Sequence, residues 1–163
     1  MSEREWTLKP IGTIRSQFTR RVGTPVQSIF APDSRGTVEV FPEFEDGLED
    51  VDGFSHLFLI YIFHRADPAT LSCIPYLDDT LRGVFATRAP SRPNPIGLSV
   101  VRLIERQGNI LKIAEVDVLD ETPLLDIKPF VPHFDHRDNA TVGWLGKRLN
   151  DCSRYRADDR FGE

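Results

Sequence analysis

The chain has 163 residues, with 40% hydrophobic residues and a formal net charge of −5. That length suits one domain able to bury a core of its own. The acidic balance argues against a protein that grips nucleic acid over its whole surface, and no apolar run approaches the ~20 residues a membrane-spanning helix needs. The N-terminal stretch MSEREWTLKPIG is charged and lacks the apolar centre of a signal peptide. Two cysteines, Cys73 and Cys152, without metal-type spacing, read as structural thiols in a reducing compartment, the cytoplasm.

In chain order, Leu8–Arg15 reads as a first strand, with Pro10 and Gly12 marking an edge or bulge. A loop rich in turn formers, TRRVGTPVQSIFAPDSRG, follows, and then Gly36–Phe41 alternates as a half-buried strand does. Six acids and no base crowd residues 43–52, a solvated face on a short acidic helix. The run SHLFLIYIFHR at 55–65 is apolar at odd and even positions alike, which predicts a central strand buried on both faces. Residues 66–80 read as irregular or one short helix, and GVFATR (83–88) as a strand. Ile96–Glu105 and Ile110–Leu119 form a hairpin turned at Gly108-Asn109, and Leu124–Lys128 is a last strand stopped by Pro129. Many short strands with little helical pattern give a mainly β fold, a small closed or nearly closed β-barrel with short helices and irregular loops. Residues 1–149 make a single domain, and 150–163 a charged and loosely packed tail.

The loop ATRAPSRPNPIGLSVV (86–101) carries three prolines, and these exclude a helix or an internal strand. Arg88 and Arg92 ride on that stiff backbone. Five arginines face one acid between residues 82 and 106, so solvated surface and an anion site both stay open there. His64 and Arg65 end the apolar strand, where a barrel opens to a ligand. Asp120, Thr122 and Pro123 form a turn able to offer backbone groups. In HFDHRD (133–138), His133 and His136 have a metal-like spacing, but Pro132 and the lack of a third ligand favour a surface loop.

The segment GVFATRAPSRPNPIGLSVVRL resembles the signature of the TsaA-like, TrmO-type family, whose core reads T-R-S-P-x-R-P-N-P-I-G-L-S. FSHLFLIYIFHR, DETPLLDIKPF and LKPIGTIRSQF followed by TPVQ agree in order and spacing, so the resemblance runs from Leu8 to Phe130. It implies a barrel that binds S-adenosylmethionine, acts as a homodimer and methylates N6 of threonylcarbamoyl-adenosine beside the anticodon of tRNA. No metal and no membrane are expected. The implied cofactor contacts are Pro25, Val26, Gln27, His64, Arg65, Arg88, Leu98, Asp120, Glu121, Thr122 and Pro123. Arg88 and Asn94 carry the catalytic expectation, and Arg92 the contact with RNA phosphate. Val26, Ala89 and Glu121 depart from the family pattern, the last replacing the glycine of D-G-T-P. A non-catalytic module that senses S-adenosylmethionine and a metal enzyme built on His133 and His136 remain as alternatives.

Overall fold

The computed structural model describes residues 5–161. Its strands are β1 (Gly12–Ser16), β2 (Arg35–Val40), β3 (His56–Ile62), β4 (Ser72–Cys73), β5 (Arg82–Gly83), β6 (Ile96–Gln107), β7 (Ile110–Ala114) and β8 (Thr122–Pro129). Six of them close an antiparallel barrel in the order β1-β2-β7-β6-β3-β8, with β8 returning to β1, and β4 pairs with β5 outside it. Closure removes the unpaired edges that an open sheet of this size would expose. Ile14, Val38, Leu57, Leu59, Val101, Leu111, Ile113 and Leu124 point inward and are almost wholly excluded from solvent.

Two expectations need correction. The 55–65 strand is not buried on both faces: in β3 only the odd positions Leu57, Leu59 and Tyr61 are buried, and the even ones are partly exposed. Phe58 on that outer face packs edge-on against Phe130 at 5.4 Å, which explains an apolar residue there without a second core. The segment 83–88 is not a strand either. Only Arg82–Gly83 pair with β4, and Val84–Ala86 coil into a 3-10 turn. Thr87 Oγ1 donates to the Val84 carbonyl at 2.8 Å, a local bond that competes with strand pairing. The acidic segment also forms 3-10 turns, Pro42–Leu48 and Val51–Gly53, and most of its acids face water. The hairpin at Gly108-Asn109 forms as expected, with Gly108 at φ +61°, but its second strand ends at Ala114 rather than Leu119, where Glu115 turns the chain at φ +64°.

Strand direction decides where function can sit. β1, β3 and β7 end, and β2, β6 and β8 begin, at the same end of the barrel. The connections 17–34, 63–95 and 115–121 therefore gather there, while the other end holds 41–55 and the tight hairpin. The C-terminal segment returns to this loop cluster. Ala157 exchanges backbone bonds of 2.8 and 2.9 Å with Gly23 and Thr24, and Cys152, Ala157 and Phe161 are buried. Cys73 and Cys152 are both free and buried.

Gly97 in β6 lies directly across from Tyr61 in β3. A Cβ at Gly97 would stand 2.1 Å from the Tyr61 ring, so the bare backbone is what lets the ring lie across the strand. Gly97→Ala is expected to lower stability by about 1–3 kcal/mol in chemical denaturation, through overpacking. The double variant with Tyr61→Leu should lose less than the two single losses combined, and strict additivity would tell against the contact.

Candidate functional site

The loop cluster encloses a cavity of about 980 Å³, at the upper end of the roughly 300–1,000 Å³ typical of small-molecule sites. Its floor is built by the ends of β3 and β6. Tyr61 Oη lies 3.0 Å from Ser99 Oγ, and Ser99 Oγ donates to Asp117 Oδ1 at 2.6 Å. A serine hydroxyl has one proton; since it is given to Asp117, the Tyr61 hydroxyl must donate to Ser99. Burial pushes the Tyr61 phenol upward, keeping it a donor.

Asp117 reaches the floor because its segment is tied down on both sides. The buried Ser34 hydroxyl lies 2.9 and 2.8 Å from the Ala31 and Val116 carbonyls, which share its one proton, and it accepts from the Val116 amide at 2.6 Å. Ser16 Oγ donates to the Val118 carbonyl at 2.7 Å. Burial pushes the Asp117 carboxyl up to about 6, against the pull of the Ser99 hydrogen bond and the Arg88 charge.

The walls come from the remaining loops. Arg88 Nη1 donates to Gln27 Oε1 at 2.6 Å, clamping the proline loop to the Pro25–Gln27 loop. Arg92 Nη1 turns to the Thr87 and Ala89 carbonyls at 3.1 and 3.3 Å, so it braces the loop that carries Arg88. Trp144 Nε1 donates to the Ala86 carbonyl at 2.8 Å and pins the 3-10 turn that precedes it. Arg65 Nη1 donates to the Thr19 carbonyl at 2.8 Å. His64 is held below the usual imidazole value, first by desolvation and then by Arg65. Four arginines (Arg21, Arg65, Arg88 and Arg92) and one carboxylate (Asp117) line the cavity, so a cationic site sits in an acidic protein.

Of the residues singled out by sequence, Pro25, Val26, Gln27, His64, Arg65, Arg88, Arg92, Asn94, Leu98 and Thr122 line this one cavity. Asp120, Glu121 and Pro123 do not. Asp120 Oδ1 accepts from the Ser16 amide at 3.1 Å and ties the turn to the end of β1. Glu121 takes the left-handed conformation, φ +62°, that glycine would occupy without strain, and its carboxylate pairs with Arg15 at 3.1 Å. Pro123 is paired opposite Thr13 within the barrel. His133 is exposed on the short helix α1 (Pro132–Asp135), and His136 Nε2 pairs with Asp138 at 2.9 Å. Among the described residues no three His, Cys, Asp or Glu side chains gather as metal ligands.

Sequence reasoning missed Asp117, Ser99, Tyr61 and Arg21. The one visible signal was Asp117 itself, a lone acid between Val116 and Val118, both buried.

A small closed barrel with its long loops folded over a cationic, partly apolar cavity defines a binding protein for a compact anionic or amphipathic ligand. Comparison with known proteins narrows that class. The family described as tRNA-methyltransferase O N-terminal domain matches residues 13–136, and the chain belongs to this family. A "probable S-adenosyl-L-methionine-binding protein" of Pyrococcus abyssi is 57% identical over 94% of this chain and 83% of its own length. A mouse protein named tRNA (adenine(37)-N6)-methyltransferase is 34% identical over 82% of this chain, but only 33% of its own length is covered. The crystal structure of TrmO from Pseudomonas aeruginosa superposes with a TM-score of 0.74 at 40% identity, covering 86% of this chain and 63% of that one. The chain thus spans under two thirds of that solved chain and about a third of the mouse enzyme.

Asp117 generates a stability prediction. Its folded value, about 6, lies above that of an unfolded aspartate, so the folded state holds the proton more tightly between about pH 4 and 6. Its contribution is fully present below about pH 4 and is lost as pH rises through 6. Asp117→Asn should gain on the wild type across that window, by on the order of 2 kcal/mol. Denaturation curves at pH 4, 5, 6 and 7 measure the difference, and a pH-independent gap would rule out a buried carboxylate.

Proposed function

We propose that this protein is an S-adenosylmethionine-dependent methyltransferase acting on N6 of threonylcarbamoyl-adenosine beside the anticodon of tRNA. The observation that carries the reading is the convergence of the Pro25–Gln27 loop, the His64–Arg65 strand end and the proline loop on one cavity, clamped by Arg88 to Gln27. The residues fit the cofactor. Phe85, Leu98 and Ile29 offer apolar surface to a nucleoside, and the arginines offer a counter-charge to its carboxylate.

S-adenosylmethionine supplies a methyl group on a sulfonium centre that is already a good leaving group, so no covalent nucleophile is required. What the chain provides is position and charge. Pro90, Pro93 and Pro95 preset the loop backbone, and Arg92 holds its carbonyls, so little ordering remains to be done on binding. Arg88 and Asn94 are placed on that frame to orient the reacting groups. Asp117, ionised at neutral pH and fixed by Ser99, takes the proton that the acceptor amine releases.

A homodimer belongs to this reading. Ile29, Phe85 and Leu98 at the cavity rim are 72%, 76% and 53% exposed, an apolar margin suited to a second copy. Arg92 keeps its proposed part in meeting RNA phosphate beside its bracing role, and a tRNA substrate agrees with the cytoplasmic reading of the sequence.

Transfer of labelled methyl to bulk tRNA, carrying or lacking the threonylcarbamoyl group, tests the reading. Incorporation is expected only with the modified tRNA, and Arg88→Ala should abolish it while the circular dichroism spectrum and melting curve stay unchanged. The wild-type rate should fall as pH drops through about 6, and Asp117→Asn should remove that inflection along with most of the activity. Binding of S-adenosylmethionine without transfer to any tRNA would favour the non-catalytic sensor, a reading consistent with the name of the Pyrococcus relative.

A further inference from the structure

Arg21 is a buried cation without an acid. It is 7% exposed, it lines the cavity, and its guanidinium forms no ion pair among the described residues. Its single hydrogen bond runs from Nη2 to the Arg65 carbonyl at 3.2 Å, and Nε has no partner. Tyr76 also lines the cavity; its buried hydroxyl makes no hydrogen bond of good geometry and stands beside Arg21, whose charge acts on it. Burial of a charged group and of a hydroxyl without compensation costs several kcal/mol, and native structures rarely leave two such groups side by side.

Among the described residues no free acid stands beside Arg21 as a counter-ion. Asp158 is the acid whose charge acts on Tyr76, and it is committed to Arg160, with Nε and Nη2 bonds of 2.8 and 2.7 Å. Arg160 in turn lies over the Tyr76 ring at 5.6 Å, and Phe161 meets that ring edge-on at 5.0 Å. The ring is thereby fixed with its hydroxyl beside Arg21. Burial raises the Tyr76 phenol to about 12, so it remains a donor at neutral pH. His64 and Arg65 add no negative charge on the neighbouring side.

We infer that Arg21 and Tyr76 form a carboxylate-binding subsite in the cavity wall, distinct from the clamp made by Arg88. One buried guanidinium neutralises one negative charge, and its planar fork matches a carboxylate. A backbone phosphate would have to bring two flanking riboses against a guanidinium that is only 7% exposed. The subsite rests on the cavity being the methyl-donor site, and two ligands can supply the carboxylate: the cofactor's amino-acid end or a carboxylated acceptor base.

Calorimetry with S-adenosylmethionine and with its decarboxylated analogue, on wild type, Arg21→Met and Tyr76→Phe, tests it together with initial rates on threonylcarbamoylated tRNA. Arg21→Met should weaken the carboxylate-bearing ligand by about tenfold or more, and Tyr76→Phe by about two- to fivefold, the carboxylate-free counterparts changing little. Loss confined to cofactor binding assigns the subsite to the donor; a raised KM for threonylcarbamoylated tRNA with cofactor affinity unchanged assigns it to the acceptor. Equal losses with and without the carboxylate, or none in either variant, overturn it. Tyr76→Phe keeps the packed ring, so it decides the matter should Arg21→Met fail to fold. If wild type binds no S-adenosylmethionine, the donor-site reading falls and the subsite with it; binding without discrimination in the variants removes the subsite alone.

Discussion

The close approach of the Tyr61 ring to Gly97 is the contact on which the working end of the molecule depends. It lets an aromatic side chain of the core lie across the neighbouring strand. From there its hydroxyl reaches diagonally to Ser99, and Ser99 reaches Asp117. Each bond removes a buried polar group that would otherwise be costly, and each fixes the next group in the chain. Gly97 sits in the P-I-G-L-S run that leaves the proline loop, so one stretch of sequence both stiffens the cavity wall and shapes its floor.

Charge is distributed to the same purpose. The protein is acidic as a whole, yet its cavity carries four arginines against one carboxylate. Three of these cations spend hydrogen bonds on backbone carbonyls, which holds the loops in place before any ligand arrives. In a partly desolvated site such charges act more strongly than they would on an open surface. A net charge of −5 thus says little about the local field that a ligand meets.

The barrel was legible in the sequence because its signals are local: alternation in Gly36–Phe41, a Gly-Asn turn, and proline at the end of the last strand. The proline loop was legible for the same reason, and it led to Arg88, Leu98 and the residues that share their cavity. Two strands were misread where local pattern and environment part. Phe58 is apolar on an outer face because Phe130 covers it, and VFAT coils because Thr87 bonds back to Val84. The floor of the cavity could not be read in advance. Tyr61, Ser99 and Asp117 lie far apart in the chain, and only the pairing of β3 with β6 and the staple from Ser34 to Val116 bring them together. Arg21 was hidden likewise, since its burial depends on a C-terminal segment that folds back over the loop that carries it.

The central claim is that the loop-covered end of the barrel is the S-adenosylmethionine site. Backbone hydrogen exchange, followed with and without S-adenosylmethionine, tests it most directly. The account predicts slowed exchange in three separated stretches, around Val26–Ile29, Phe85–Leu98 and Asp117–Leu119, with the Gly108-Asn109 hairpin at the far end unchanged. Protection confined to the far end or to the His133–Asp138 surface, or none at saturating cofactor, would contradict it.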